Sequence, residues 1–330
     1  MIFNRLFLYT VAFSLINSSV VMANPLGGVL AAGQATIAGQ GTANVQINQT
    51  SDKAIINWNS FDIAKGERTH FQQPDKNSIA LNRVTASDGK SSQIMGQLSA
   101  TGKIAIINRN GIIFGKDAQV DAAGLIASTA DISNNDFMAG VGNFAVAGNP
   151  TAQIVNQGNI TIKESGLAAL VAPTVRNEGV ITAKLGRVGL GGGATHTIDF
   201  YGDGLLSIDV SDATLKALVE NKGAIIAEGG TITLSASAAE SIVDTLISNT
   251  GTLTANTLNN QRGKIALQAK TTGGVNTGHL VVEGTISAKG SAAGGSVAIN
   301  GGSMALNGTI DASSTSGNGG EVRISATGQV

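Results

Sequence analysis

The sequence predicts an all-β chain wound as a parallel β-helix, a β-solenoid. Three observations predict it. Aromatic residues make up only 4% of the 330 residues, so Ile, Val, Leu and Ala must fill the core. Those are the residues of stacked parallel strands, buried on both faces. The 44 Gly, 4 Pro and absence of Cys fit many short strands joined by turns, without a disulfide framework. From Gln153 onward two short units alternate with a period near ~20 residues, the mark of a solenoid built from strands.

The chain opens with a targeting segment. Met1 to Arg5 is a short basic region and Leu6 to Ile16 an apolar run broken by Thr10 and Ser14. Val21-Met22-Ala23 is a small-residue cleavage site ahead of Asn24-Pro25. The pattern is that of a secretory signal peptide over residues 1–23, cut between Ala23 and Asn24. A membrane anchor is the alternative, but it requires roughly 18 or more consecutive apolar residues. The formal net charge of −1 carries no signal for nucleic acid or a membrane surface.

Gly33 to Asn48 alternates small, polar and apolar residues, which predicts short strands closing the N-terminal end. An uncapped β-helix would present unpaired N–H and C=O groups there. Trp58, the only tryptophan, stands beside Phe61 and near Phe71 and is assigned to the packing of this cap.

Ile104 to Gly115 then reads as strand, turn, strand. Ile104 and Ile106 point one way, Ala105 and Ile107 the other. Both faces are apolar, so burial on both sides is expected. Asn108-Arg109-Asn110-Gly111 forms the turn, since Asn and Gly tolerate positive φ and Asn bonds nearby backbone.

The first repeated unit is apolar-x-Asn-x-Gly-x-apolar. It places Asn156, Asn177, Asn221 and Asn249 at one position, where an amide ladder can form in the turns. The unit's glycines fall at 158, 179, 223, 251, 284 and 308. The step from 179 to 223 is close to two periods, and the longer steps predict insertions. The second unit is Gly followed by alternating polar and aliphatic residues, as in Gly230-Thr231-Ile232-Thr233-Leu234 and Gly295-Ser296-Val297-Ala298-Ile299. Its aliphatics should face inward. Two flanking helices are expected, at 211–220 after a Ser N-cap and at 237–247 from the spacing of Ile242, Val243, Leu246 and Ile247. The chain stops at Val330 in mid-repeat, as a truncated frame or the front of a longer exoprotein would.

Catalytic patterns are weak. A glycosidase requires paired carboxylates. Asp199, Asp203 and Asp209 are the best cluster, in a Gly-rich stretch where Asp commonly forms turns. His70, His196 and His279 are scattered without partners at metal-ligand spacing and are assigned to surface or turn positions. Gly191-Gly192-Gly193 lacks the Lys-Ser/Thr of a phosphate loop. Asn48-Gln49-Thr50 and Asn159-Ile160-Thr161 are Asn-x-Thr sequons. No enzyme activity, metal or cofactor is expected.

One ordered series of motifs remains. It comprises Ala54-Ile55-Ile56-Asn57-Trp58-Asn59-Ser60-Phe61-Asp62-Ile63, Phe71-Gln72-Gln73-Pro74, Leu81-Asn82-Arg83-Val84, Ile94-Met95-Gly96-Gln97-Leu98, the 108–111 turn and Leu125-Ile126-Ala127-Ser128-Thr129. From about Gly33 onward the chain resembles the N-terminal secretion domain of two-partner-secreted exoproteins. These form the filamentous haemagglutinin family, and the likeness is to the branch of the high-molecular-weight adhesins. Gly166–Pro173 and Ile198–Ser207 look like landmarks of that branch. The family's Asn-Pro-Asn-Gly turn is here Asn-Arg-Asn-Gly, and its Asn-Pro-Asn-Leu motif is absent, as is usual for the branch.

The resemblance implies a right-handed parallel β-helix, with a cap and secretion unit over 24–150 and further coils over 151–330. It implies export through the periplasm of a Gram-negative bacterium to the medium or cell surface. The chain would be recognised by the POTRA domains of an outer-membrane β-barrel transporter and fold outside as a monomer. Asn108, Arg109, Asn110 and Gly111 would be the secretion turn, either touching the transporter or only shaping the fold. Adhesion to a host or cell-surface receptor is the downstream role the family implies. A polysaccharide-acting β-helix enzyme and a haem- or host-protein-capturing exoprotein are the alternatives.

Overall fold

A computed structural model of the protein describes residues 24–200, 209–212, 217–238, 245–271 and 278–330. Within them the chain winds as a parallel β-helix whose coils have a ladder wall, a short wall and a long wall. The ladder wall is an eight-stranded parallel stack, running from Ser92–Ile94 through Ile112–Phe114, Gln153–Asn156, Thr174–Asn177, Leu218–Asn221, Thr245–Asn249 and His279–Val282 to Met304–Leu306. A 20-stranded sheet supplies the other two walls. Short-wall strands such as Val180–Ala183 and Thr252–Thr254 stack on one another, and so do long-wall strands such as Arg187–Gly192, Thr231–Ala238 and Lys264–Thr271. Gln119–Ser128 and Asn159–Ala172 round the corner and belong to both walls.

Period-two alternation builds the core. Along the long wall Ile56, Asn82, Ile106, Ala127, Leu170, Leu190, Leu234, Leu267 and Ile299 fall in one column, coil upon coil. All are buried, in a core that runs unbroken from Val45 to Ala312. Each buried Leu or Ile contributes roughly 1.5–3 kcal/mol. A single coil could not offset its chain entropy this way, but stacked neighbours can. The N-terminal end is closed by two antiparallel strands, Val29–Ala32 on Lys53–Trp58 and Ala35–Ala38 on Asn44–Gln49. Trp58 packs edge-on against Phe61 at 5.7 Å, and its Nε1–H donates to buried Asn82 at 3.0 Å.

The repeat glycines are needed for space rather than for left-handed backbone. Gly179, Gly223, Gly251, Gly284 and Gly308 all have ordinary φ. A Cβ on any of them would overlap the carbonyl oxygen of the glycine one coil below. This column also corrects the repeat count. Asn177 pairs directly with Asn221, so the step from Gly179 to Gly223 is one coil and not two. The surplus leaves the wall after Gly192 and returns at Leu218.

That surplus joins an earlier excursion, 131–148, to form a second layer outside the long wall. The excursion contains a short helix, Asn134–Ala139, that the sequence reading did not anticipate. Its strand Asn143–Phe144 pairs antiparallel with Thr195–Thr197, which pairs in turn with Asp209–Asp212. The two expected helices are corrected here. At 211–220 the described ends are strand, in Asp209–Asp212 and Leu218–Asn221. At 237–247 they are again strand, in Thr231–Ala238 and Thr245–Asn249. Strand pairing overrides the local helical spacing: antiparallel to Thr195–Thr197 for Asp209–Asp212, and parallel to the neighbouring coils for the other three strands. Residues 213–216 and 239–244, like the leader 1–23, lie outside the described residues.

Candidate functional site: the Asn108 corner

The turn Asn108–Gly111 carries the chain from the long wall, where Lys103–Ile107 ends, to the ladder wall, where Ile112–Phe114 begins. Asn108 is buried and bonds in several directions. Its carbonyl accepts the Gly111 N–H at 3.0 Å, closing the turn, and its Oδ1 accepts the Asn110 N–H at 2.9 Å. Its Nδ2 donates to the Lys90 carbonyl and to Ser92 Oγ, both at 3.1 Å, in the coil below. Its own N–H donates to the Ser128 carbonyl at 3.1 Å in the coil above. One asparagine thus ties three coils at a single corner. Gly111 has φ +114, and a Cβ there would press on the Gln153 carbonyl. Conformation and space both select glycine. Arg109 is exposed at the second position; its carbonyl accepts the Asn149 N–H at 2.8 Å and its guanidinium reaches the Ala147 carbonyl at 3.4 Å.

Two open clefts meet at Asn108. One, of about 540 Å³, lies between Thr85–Gly89, the turn and Gly148–Pro150. The other, of about 370 Å³, is lined by Leu26, Asn59–Asp62 and Lys90–Ser92. Burial pushes the Asp62 carboxyl above its usual range, opposed by a hydrogen bond from the Gln93 N–H at 2.7 Å. Segments far apart in sequence, 58–62, 83–92 and 108–111, therefore converge on one edge of the helix.

The other asparagines are grouped apart from this corner, inside the coils. Asn156 Nδ2 donates to Asn177 Oδ1 at 2.8 Å, Asn177 to Asn221 at 2.8 Å, and Asn221 to Asn249 at 2.7 Å. All four are fully buried. The same column holds Ile94 and Phe114 below and Val282 and Leu306 above. The amide ladder is a polar seam within an otherwise apolar column. Asn24 is also buried; its Nδ2 donates to the Thr42 carbonyl at 2.6 Å and its Oδ1 accepts from Thr69 Oγ1 at 3.1 Å. Ala23 and Asp203 lie outside the described residues.

His70 and His279 are partly exposed, each with Nδ1 2.8 Å from a serine Oγ one coil above. His196 departs from the expected surface or turn position. It is buried in the outer layer, stacked on Phe144 at 4.5 Å. Burial of the Phe144 strand pair beneath the aromatic cluster draws it in, and a lone His between threonines gave no sign of this. Among the described residues no three of His, Asp and Glu are placed to hold a metal ion, and no helix is long and apolar enough to cross a membrane.

The sequence matches the family profile of the TPS secretion domain over residues 25–282. The chain belongs to that family. The secretion domain is 35% identical over 251 residues to a Heme/hemopexin-binding protein of Haemophilus influenzae strain Rd, covering 74% of this chain and 27% of the relative. A second Heme/hemopexin-binding protein from Haemophilus influenzae is 34% identical over 258 residues, with 72% and 27% covered. The chain thus spans about a quarter of the length of these relatives. Among solved structures, it is similar to the HMW1 secretion domain from Haemophilus influenzae, with a TM-score of 0.79 at 33% identity, over 91% of this chain and 76% of that one. The resemblance to the high-molecular-weight adhesin branch and the β-helical fold are borne out. The domain serves two-partner secretion across the outer membrane of a Gram-negative bacterium, together with an outer-membrane transporter.

Proposed function

We propose that this secretion domain leads a surface exoprotein out of the cell after removal of residues 1–23. The unfolded chain crosses the periplasm, is taken up by the POTRA domains of its transporter, and folds outside coil by coil. The cap and secretion unit spans 24–150, and 151–330 continues the same solenoid as a monomer. Local coil-on-coil contacts favour such stepwise folding, since each coil needs only its neighbour. The observation that carries the reading is the family match over most of the chain, joined to a corner where Asn108 bonds three successive coils. Asn108, Arg109, Asn110 and Gly111 act there as the secretion turn, and adhesion is the downstream role.

The direct test is release of mature protein, beginning at Asn24, from cells with and without the outer-membrane transporter. Release that depends on the transporter supports the reading; equal periplasmic retention in both contradicts it. Asn110→Ala separates recognition from folding. Lost release with an unchanged melting temperature assigns the turn to the transporter, and a matching fall in both assigns it to the fold.

A second reading has its own support. Both sequence relatives are named for binding haem and hemopexin. On that reading the exoprotein captures haem or a haem-carrying host protein. Titration of the purified chain with haem, followed by absorbance, separates it from an adhesin whose domain binds none.

A further inference from the structure

The long wall has an apolar outer side as well as an apolar inner one. Ile55, Ile79, Leu81, Ala105, Ile107, Ile126, Leu167, Ala169 and Val171 form it, all nearly inaccessible to water. The cover that hides them consists of Ile132, Phe137 and Phe144 from the 131–148 excursion and Ile198 and Phe200 from the later one. Polar contacts fasten it as well. Lys53 Nζ donates to the Met138 carbonyl and Lys103 Nζ to the Phe200 carbonyl, both at 2.8 Å. Arg83 pairs with Asp131 at 2.9 Å and donates to the Ile132 carbonyl at 2.7 Å.

His196 sits where the two excursions join. Its backbone pairs with Phe144, its ring lies nearly parallel to the Phe144 ring, and it is 1% exposed. Among the described residues neither ring nitrogen has a hydrogen-bond partner. We propose that the cover is a latch that acid opens: it seats only while His196 is uncharged, and its release bares the apolar strip on coils that stay folded.

The charged residues on the surrounding elements do not alter this. They are Asp199 on its own segment, Asp131 and Asp136 on the excursion, and Lys53, Arg83, Lys103 and Arg187 on the wall beneath, with Asp209 and Asp212 in the sequence of the paired strand. Burial lowers His196 from its usual value to about 3. The Phe144 face would favour a cation somewhat, but it supplies no acceptor for two buried N–H groups. The sign follows. An open cover returns the ring to its ordinary value near ~6.5, so below that pH the open state takes a proton that the closed state refuses. Closure is therefore unimpaired above about pH 6.5 and weakens progressively as pH falls toward about 3.

Hydrogen exchange on the whole secretion domain tests this. Protection factors at 143–144 and 195–197, corrected for intrinsic rates, should fall roughly tenfold per pH unit between about 6.5 and 5. Those of Thr231–Ala238 and Ser296–Gly301 should hold. His196→Phe keeps a stacking ring without a titrating group and should abolish the decline. Protection that ignores pH, or a His196→Phe variant that declines like the parent, overturns the latch. If that variant does not fold, the imidazole resonance of the unaltered protein decides. A ring still neutral at pH 5.5 supports the latch, and a ring titrating near its ordinary value under a protected cover overturns it.

Discussion

The long wall can be followed outward from its covered end to its bare one. One outward column runs Ile55, Leu81, Ala105, Ile126, Ala169, Gly189, Thr233, Ala266, Ala298, Arg323. A neighbouring column changes from Ile107, Ser128 and Val171 to Gly191, Ser235, Gln268 and Asn300. The inward column from Ile56 to Ile299 stays apolar along the same path except at buried Asn82. The coil is thus one repeating structure with two outer environments: Ser235 is still buried, and Gln268 and Asn300 on the later coils are partly exposed. The change from apolar to small and polar outward residues begins at Gly189 and Gly191. What the contrast teaches is that the inner face makes a β-helix, and the outer face records what lies on top of it.

Substitutions can sharpen that contrast. Leu81→Ala, in the covered column, should lower stability by about 2–5 kcal/mol, since it opens a cavity between two layers. Its checking measurement is denaturant unfolding, with Thr233 as the matched position outside the cover. Next in size is the amide ladder, which lies inside the coils and should ignore the cover. Asn177→Ala leaves Asn156 Nδ2 without its acceptor and Asn221 Oδ1 without its donor, and should cost about 1–3 kcal/mol. Arg83→Gln should cost about 1–3 kcal/mol, because it strips Asp131 of a charge-assisted partner. Its loss should be local: raised exchange at 131–148, with the strands beyond Gly192 unaffected. Thr233→Ala should stay within about 0.5 kcal/mol, as expected of a wall residue facing water. A large effect at Thr233, or none at Leu81, would break the comparison.

Much of the inner structure was legible in the sequence, because period-two alternation and fixed glycines leave a pattern in every coil. Asn156, Asn177, Asn221 and Asn249 announced a shared position by spacing alone. The doubly apolar strand Ile104–Ile107 announced burial on both of its faces, of Ala105 and Ile107 as well as Ile104 and Ile106. What buried them was not legible. Ser133, Asp136 and Gly140 do form a capped helix, with Ser133 Oγ accepting the Asp136 N–H at 3.0 Å. Six residues are too few to show a helical period, however. The later excursion was hidden because its length nearly equals a coil, so the step of 44 passed for two repeats. The apolar spacing at 237–247 and the Ser at 211 mimicked helices, where neighbouring coils impose strands in the first case and antiparallel pairing with Thr195–Thr197 in the second. The corner at Asn108 was visible as a turn, but its reach into the coils above and below is a property of stacking that no local window contains.

The central claim is that a cover rests on the secretion domain as a separate layer over an unbroken coil core. Native-state hydrogen exchange at neutral pH, in low denaturant, tests it most directly. The account predicts that amides of Asn143–Phe144 and Thr195–Thr197 open at a lower free energy than those of the long-wall strands beneath, Ile79–Val84 and Lys103–Ile107. Exchange of all four segments through one common opening would contradict it.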